Sequence, residues 1–270
     1  MILKPSALLA LPAELLVTIF QSCLSFKDGA SLAASCKQLN EIWTEHHTPI
    51  YNRIALTTTP CYPELRQLLD DMEELPSDAQ VLSKKNIARI LEISKIGDDL
   101  VAEYETMLKE QPYHDPQVSR TLSTTEKLRF VRAQYQLLGL LKLKADGGHI
   151  KRIESMDLKT LFLLSDFLCV FSAHTISDPA LRQIADADSI APRILQQELR
   201  RQRNHHFRKL YTHGYRPVSV TPFESGGRFA WWCDRQQETF QEMVTGRVYK
   251  GEESEPKIRE DIWYDSAEEE

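Results

Sequence analysis

The sequence predicts an all-α protein, and three observations indicate that class. Glycine is scarce, at 10 of 270 residues, whereas good helix formers such as Leu, Glu, Gln, Lys and Arg are abundant. Apolar residues recur at helical spacing through most of the chain. No repeat of fixed period accompanies them, so we expect an N-terminal three-helix unit, one irregular helical domain and an acidic tail.

The first predicted helix runs from Pro12 to Leu24, since proline suits the first position of a helix. Two adjacent apolar rows follow its helical spacing: Leu11, Leu15 and Ile19, and beside them Leu16, Phe20 and Leu24. Asp28 is expected to cap a second short helix. A third helix is expected from about Cys36 to His46, and Pro49 should stop it. These elements define a compact unit over residues 9–46.

Residues 47–62 contain a Thr-Thr-Thr-Pro run and no helical period, which predicts an extended connector and a domain boundary near residue 61. Helical spacing resumes after it, and we assign residues 61–250 to one helical domain. Residues 251–270 hold 9 of the 39 acidic residues and 2 of the 33 basic ones, so this tail carries a net charge of −7 while the rest is near neutral. Repulsion among its acids and its few apolar groups predict that the tail is disordered.

Three helices of the predicted domain carry local signals. Ser123 and Glu126 have the S-x-x-E spacing of a capping box. Asp157 is expected to cap the most apolar helix of the chain, which is predicted to lie in the core. Gly97 is expected to split a long helix, because glycine is a poor helix former.

The N-terminal segment carries a motif much longer than a tripeptide. It begins Leu-Pro-Ala-Glu-Leu at Leu11 and ends Ile-Trp at Trp43, with Ile19-Phe20, Leu24, Asp28, Leu32 and Cys36-Lys37-Gln38-Leu39 between them. This spacing resembles the F-box through its whole length. The resemblance implies three helices that interlock with helices of the Skp adaptor, with adaptor contacts at Leu11, Pro12, Leu15, Ile19, Phe20 and Leu24. Gly29 and Ala30 depart from the family's pattern, which usually has a bulky aliphatic residue there.

A physical argument also points to a partner for this unit. About 40 residues without a disulfide or a metal seldom fold alone, and the two apolar rows exceed what three short helices can cover. We therefore expect a partner surface here; the alternative is that the rest of the chain covers the rows. That remainder looks loosely like the helical C-terminal regions of fungal F-box proteins without WD or leucine-rich repeats.

The F-box resemblance implies a substrate receptor of a Skp-cullin-F-box ubiquitin ligase. Such a chain binds the Skp adaptor, through it cullin, and a target protein that the sequence does not name. It is then not an enzyme itself, because ubiquitin is transferred elsewhere in the assembly. The alternative is a Skp-binding scaffold or regulator that does not assemble an active ligase.

No sequence pattern predicts a catalytic centre, a cofactor or a metal site. The chain lacks G-x-S-x-G, Walker A, G-x-G-x-x-G and H-E-x-x-H motifs, and its five cysteines include no C-x-x-C pair. Such cysteine usage favours a reducing compartment, so we expect a cytoplasmic and/or nuclear location. The most apolar stretch falls short of the roughly 18 residues of a membrane span, and no membrane association is expected.

The candidate target-binding residues are Arg201, Arg208 and Trp231. A helix over residues 192–213 should turn both arginines outward, and two guanidinium groups on one face suit a phosphate or carboxylate pair. Trp231 is expected to be the exposed ring of a last helix, roughly residues 229–244. The alternatives are a solvated helix face and a core aromatic. Nucleic acid is not an expected partner, because the body of the chain is near neutral.

Overall fold

The computed structural model describes residues 7–75, 81–110, 121–143, 148–174 and 192–211, and every regular element within those ranges is a helix. The predicted all-α class is therefore confirmed for this part of the chain. A 3-10 helix over Ala7–Ala10 precedes the α-helices, which are α1 Ala13–Gln21, α2 Phe26–Ala33, α3 Lys37–Glu45, α4 His47–Thr58, α5 Tyr62–Asp71, α6 Lys84–Glu110, α7 Thr124–Lys142, α8 Gly148–Glu154, α9 Leu158–His174 and α10 Pro192–Tyr211. The chain divides into two compact units, residues 1–96 and 97–270.

The three predicted N-terminal helices are present, with two corrections to their ends. Helix α1 stops at Gln21, so Leu24 lies beyond it in the loop. The N-cap of α2 is Ser25 and not Asp28. The Ser25 Oγ accepts a hydrogen bond from the Asp28 N–H at 3.1 Å and donates one to the Asp28 carboxylate at 2.7 Å. The prediction that Asp28 is the N-cap is therefore wrong, because Asp28 lies in the first turn of α2. An acid in the first turn also stabilises a helix, so it occurs near a helix start without being the cap.

The extended connector predicted over residues 47–62 is wrong, because α4 occupies most of it. Pro49 lies in the first turn of α4, where its missing N–H would have no intrahelical acceptor, so it does not interrupt the helix. Ile50 and Ile54 are fully buried, and α4 packs on α1, α2 and α3. This burial outweighs the weak helix propensity of the threonines. The first compact unit consequently runs past the boundary predicted near residue 61, to residue 96.

Trp43 of α3 is the centre of the first unit's aromatic core. Its ring centroid lies 5.2 Å from that of Phe20 and 5.0 Å from that of Tyr51. A Cβ added at Gly29 would lie only 2.6 Å from Trp43 Cζ3. The indole ring therefore fills the space that a bulky aliphatic side chain at position 29 would need.

The second unit is organised around α7, which is buried along most of its surface. Its predicted capping box is confirmed, since Ser123 and Glu126 exchange both hydrogen bonds. The predicted cap of α9 is also confirmed, because Asp157 Oδ1 accepts the Thr160 N–H at 2.6 Å. Helix α9 packs on α7 through Phe167, whose ring centroid lies 5.0 Å from that of Phe130, and α10 packs on α8 and α9.

Gly97 does not split α6, contrary to the prediction. A Cβ at that position would lie 3.4 Å from both Gln134 Oε1 and the Tyr135 hydroxyl of α7. The glycine therefore marks a close approach of the two helices and not a break. Among the described helices, none is long and apolar enough to cross a membrane. The predicted helix over 229–244 and the acidic tail 251–270 lie outside the described residues.

Candidate functional site

The two apolar rows of α1 have different surroundings. Leu16 and Phe20 are almost fully buried, and α4 packs against this helix. Leu15 is 50% exposed and Ile19 is partly exposed, although each precedes a buried residue by one position. One position is about 100° around a helix, which is sufficient to move a side chain from the core to the surface.

The surface row continues at both ends of α1. Pro12 is exposed and Leu11 is partly exposed just before the helix. Leu24, in the loop after α1, is 86% exposed, the highest value among the large apolar side chains that the structure describes. We call Leu11, Pro12, Leu15, Ile19 and Leu24 the α1 surface patch.

Two long-range hydrogen bonds hold the ends of this patch in place. Gln38 of α3 donates from Nε2 to the carbonyl of Leu9 at 3.1 Å, which ties the segment before α1 to the three-helix unit. Gln21, the last residue of α1, donates from Nε2 to the carbonyl of Pro49 at 3.3 Å. The helix that carries the patch is therefore held at both ends by hydrogen bonds to the rest of the first unit.

Phe20 is a correction to the predicted adaptor contacts. Its side chain is 0% exposed and packs on Trp43, so it is part of the core and is not available to a partner on this surface. Leu16 is also buried, so the chain itself covers two of the three residues of that row and leaves Leu24 exposed. The argument that a partner must cover both rows is therefore wrong for Leu16 and Phe20. The α1 surface patch is what remains for a partner.

The predicted target-binding residue Arg201 is already paired within the second unit. Its Nε donates to Glu198 Oε1 at 2.8 Å, and its Nη2 lies 3.4 Å from Glu154 Oε1 of α8. Glu198, and less strongly Glu154, raise the pKa of the guanidinium. Arg201 points outward as predicted, but its charge is compensated and it is not a free anion-binding group. Arg208 belongs to α10, but its side chain is not among those that the structure describes. Trp231 lies outside the described residues.

The described residues hold no group of three or more His, Cys, Asp or Glu side chains that could bind a metal ion. Cys23, Cys36 and Cys61 are not part of a disulfide. Burial, and then the charge of Asp28, raise the pKa of the Cys23 thiol, which disfavours the reactive thiolate form. The α1 surface patch is the strongest candidate site in this part of the chain.

Comparison of the chain with protein-family models, with curated proteins and with solved structures finds no match. The F-box assignment therefore stays a prediction that depends on the motif from Leu11 to Trp43 and on the surface it displays.

Proposed function

We propose that this chain is an F-box substrate receptor, which binds the Skp adaptor through its α1 surface patch and recruits a target protein to a Skp-cullin-F-box ubiquitin ligase. The observation that carries the proposal is the exposure of Leu15 and Leu24 beside a well-packed core. Five of the six residues that the F-box resemblance assigns to the adaptor lie at least partly on the surface. Large apolar side chains displayed together by a fixed scaffold are typical of an interface.

The patch is large enough to anchor an interface. Burying a leucine side chain completely contributes about 1.5–3 kcal/mol. Covering Leu24 and the exposed half of Leu15 therefore contributes roughly 3 kcal/mol, which corresponds to about 10²-fold in affinity. Leu11, Pro12 and Ile19 add to this, and the polar residues around them would supply specificity.

Under this proposal the chain contributes proximity and no chemistry. The helical region after the F-box holds the target, the adaptor and cullin hold the conjugating enzyme, and tethering raises the effective concentration of the two reactants. The location that fits these partners is the cytoplasm and/or the nucleus.

The test is binding of purified Skp adaptor to the full chain by biolayer interferometry. We expect the Leu15→Glu, Leu24→Glu double variant to bind at least ~10²-fold more weakly, since two carboxylates would be desolvated in the interface. Both positions are exposed, so the fold should persist, and circular dichroism checks this. The matched control is Leu91→Glu on α6, where the leucine is 45% exposed and outside the F-box-like segment. Wild-type-like binding by the double variant would refute the proposal.

Co-purification then separates the receptor from the alternative scaffold. Recovery of cullin together with the Skp adaptor supports ligase assembly. Recovery of the adaptor without cullin would identify a Skp-binding regulator. Loss of both from the double variant but not from Leu91→Glu would assign both interactions to the α1 surface patch.

A further inference from the structure

Helix α10 has one buried side and one exposed basic side. Leu195 and Leu199 are fully buried, and Gln202 is nearly so. The opposite side carries four exposed residues spaced i, i+4, i+7 and i+11, which are Arg193, Gln197, Arg200 and Asn204. This spacing places them in one row along the helix. The row contains two cations and two amides, and no acid.

The two arginines of this row differ from Arg201. Within the residues that the structure describes, neither Arg193 nor Arg200 forms an ion pair, whereas Arg201 is compensated by Glu198 and Glu154. Seven residues of helix separate Arg193 from Arg200, which is about 10.5 Å along the axis. The exposed arginines of the described part of α10 that are not paired with an acid thus both lie on this one row.

An apolar side chain lies at the edge of the same row. Ile194 is 54% exposed, and it follows Arg193 directly. We call Arg193, Ile194, Gln197, Arg200 and Asn204 the α10 outer face. A ligand that matches this face needs two anionic groups roughly 10 Å apart with an apolar group next to one of them.

The chain's own C-terminal segment has this composition. Asp261 and Asp265 flank the apolar triplet Ile262-Trp263-Tyr264, and residues 251–270 carry a net charge of −7. In an extended peptide, residues four apart are separated by roughly 13 Å, a distance that long arginine side chains can match to the helical spacing. The charge and the apolar triplet both complement the α10 outer face.

We propose that residues 252–270 dock on the α10 outer face of the same chain. The carboxylates of Asp261 and Asp265 pair with Arg193 and Arg200, and the apolar triplet packs against Ile194. Gln197 and Asn204 offer side-chain amides to the backbone of the docked segment.

This docking is weak and reversible, because it depends on exposed ion pairs. Exposed ion pairs are individually weak and are screened by salt, but the segment belongs to the same chain, so its local concentration near α10 exceeds that of a separate ligand. An acidic segment of another protein can then displace the tail when it binds more tightly. The tail would act as a built-in competitor that excludes weakly binding acidic ligands.

The test uses a fluorescently labelled peptide of residues 252–270 and the full chain, followed by fluorescence anisotropy. In the wild-type chain its own tail competes with the peptide. A tail variant with Asp261→Lys, Trp263→Ser and Asp265→Lys should therefore bind the peptide at least about tenfold more tightly than wild type. This gain should shrink at high salt.

Two further variants locate the site. Adding Arg193→Glu and Arg200→Glu to the tail variant should abolish peptide binding. Adding Lys85→Glu and Lys95→Glu, which reverses the same number of exposed charges on α6, should leave it within about twofold. Equal peptide binding by the wild type and the tail variant would overturn the proposal, and so would equal losses from the two charge reversals. Sedimentation of the wild-type chain as a dimer that the tail variant does not form would also overturn it, because the tail would then dock on a second copy.

Discussion

Replacing Gly29 by leucine should destabilise the first unit, because Trp43 occupies the space that the new side chain needs. A Cβ at position 29 would lie 2.6 Å from Trp43 Cζ3 and 2.8 Å from Cη2. Carbon atoms in contact are ordinarily about 3.5–4.0 Å apart, so even the first added atom overlaps the ring by roughly 1 Å. Phe20 and Tyr51 restrict the ring on other sides, with centroids 5.2 and 5.0 Å away.

Two opposing effects set the magnitude of this change. Overpacking of a core lowers the free energy of unfolding by about 1–3 kcal/mol. Leucine should reach the upper end of this range, because it adds four carbons where there is no room for one. Removing glycine from the interior of a helix contributes about 1 kcal/mol in the opposite direction. We therefore expect Gly29→Leu to lower the free energy of unfolding by about 2 kcal/mol.

Urea unfolding followed by circular dichroism measures the difference as a shift of the midpoint at constant slope. The control is Ala30→Leu, the exposed neighbour on the same helix, which should change the free energy of unfolding by less than about 0.5 kcal/mol. Trp43→Val should relieve the overlap, so combining it with Gly29→Leu should recover at least ~1 kcal/mol relative to the sum of the two single changes. Equal stability of Gly29→Leu and Ala30→Leu would refute this reasoning.

Two other predictions concern the turn after α5 and an ion pair between α6 and α7. Glu73 has a left-handed backbone with φ of 57° in the turn that ends α5. Glycine adopts this conformation without strain, so Glu73→Gly should raise the free energy of unfolding, measured by urea titration, by about 0.5–1 kcal/mol. The control Glu73→Ala keeps the Cβ and should give no such increase. Partial burial by itself raises the pKa of the Glu105 carboxyl. Two effects outweigh it and leave this pKa below its ordinary value of 4.5: the hydrogen bonds that Lys127 and the Leu122 N–H donate, and the positive charge of Lys127. The ionised group therefore stabilises the fold fully above pH ~4.5 and loses this effect as the pH falls through the lowered pKa. Glu105→Gln should lower the urea midpoint at pH ~7 and approach the wild type near pH ~3, and a difference independent of pH would contradict the assignment.

Local sequence signals determined most of the helices. The capping box at Ser123, the cap at Asp157 and the apolar periodicity of α1, α5 and α7 are interactions between residues three or four apart, which a linear pattern can reveal. Helix α4 was not predicted because its threonine-rich sequence has a weak helix propensity. Its stability comes from Ile50 and Ile54, which are buried against helices that only the fold brings together.

The candidate sites depended more strongly on tertiary structure. The sequence alone showed two apolar rows on α1, but only the packing of α3 and α4 on α1 decided that Leu16 and Phe20 enter the core while Leu15 stays on the surface. The outward direction of Arg201 followed from helical spacing. Its pairing with Glu198, three residues earlier, is local as well, whereas Glu154 is 47 residues away in the chain and reaches Arg201 only when α8 packs against α10. Periodicity determines which residues share a face, whereas contacts between distant segments decide whether that face is covered or compensated.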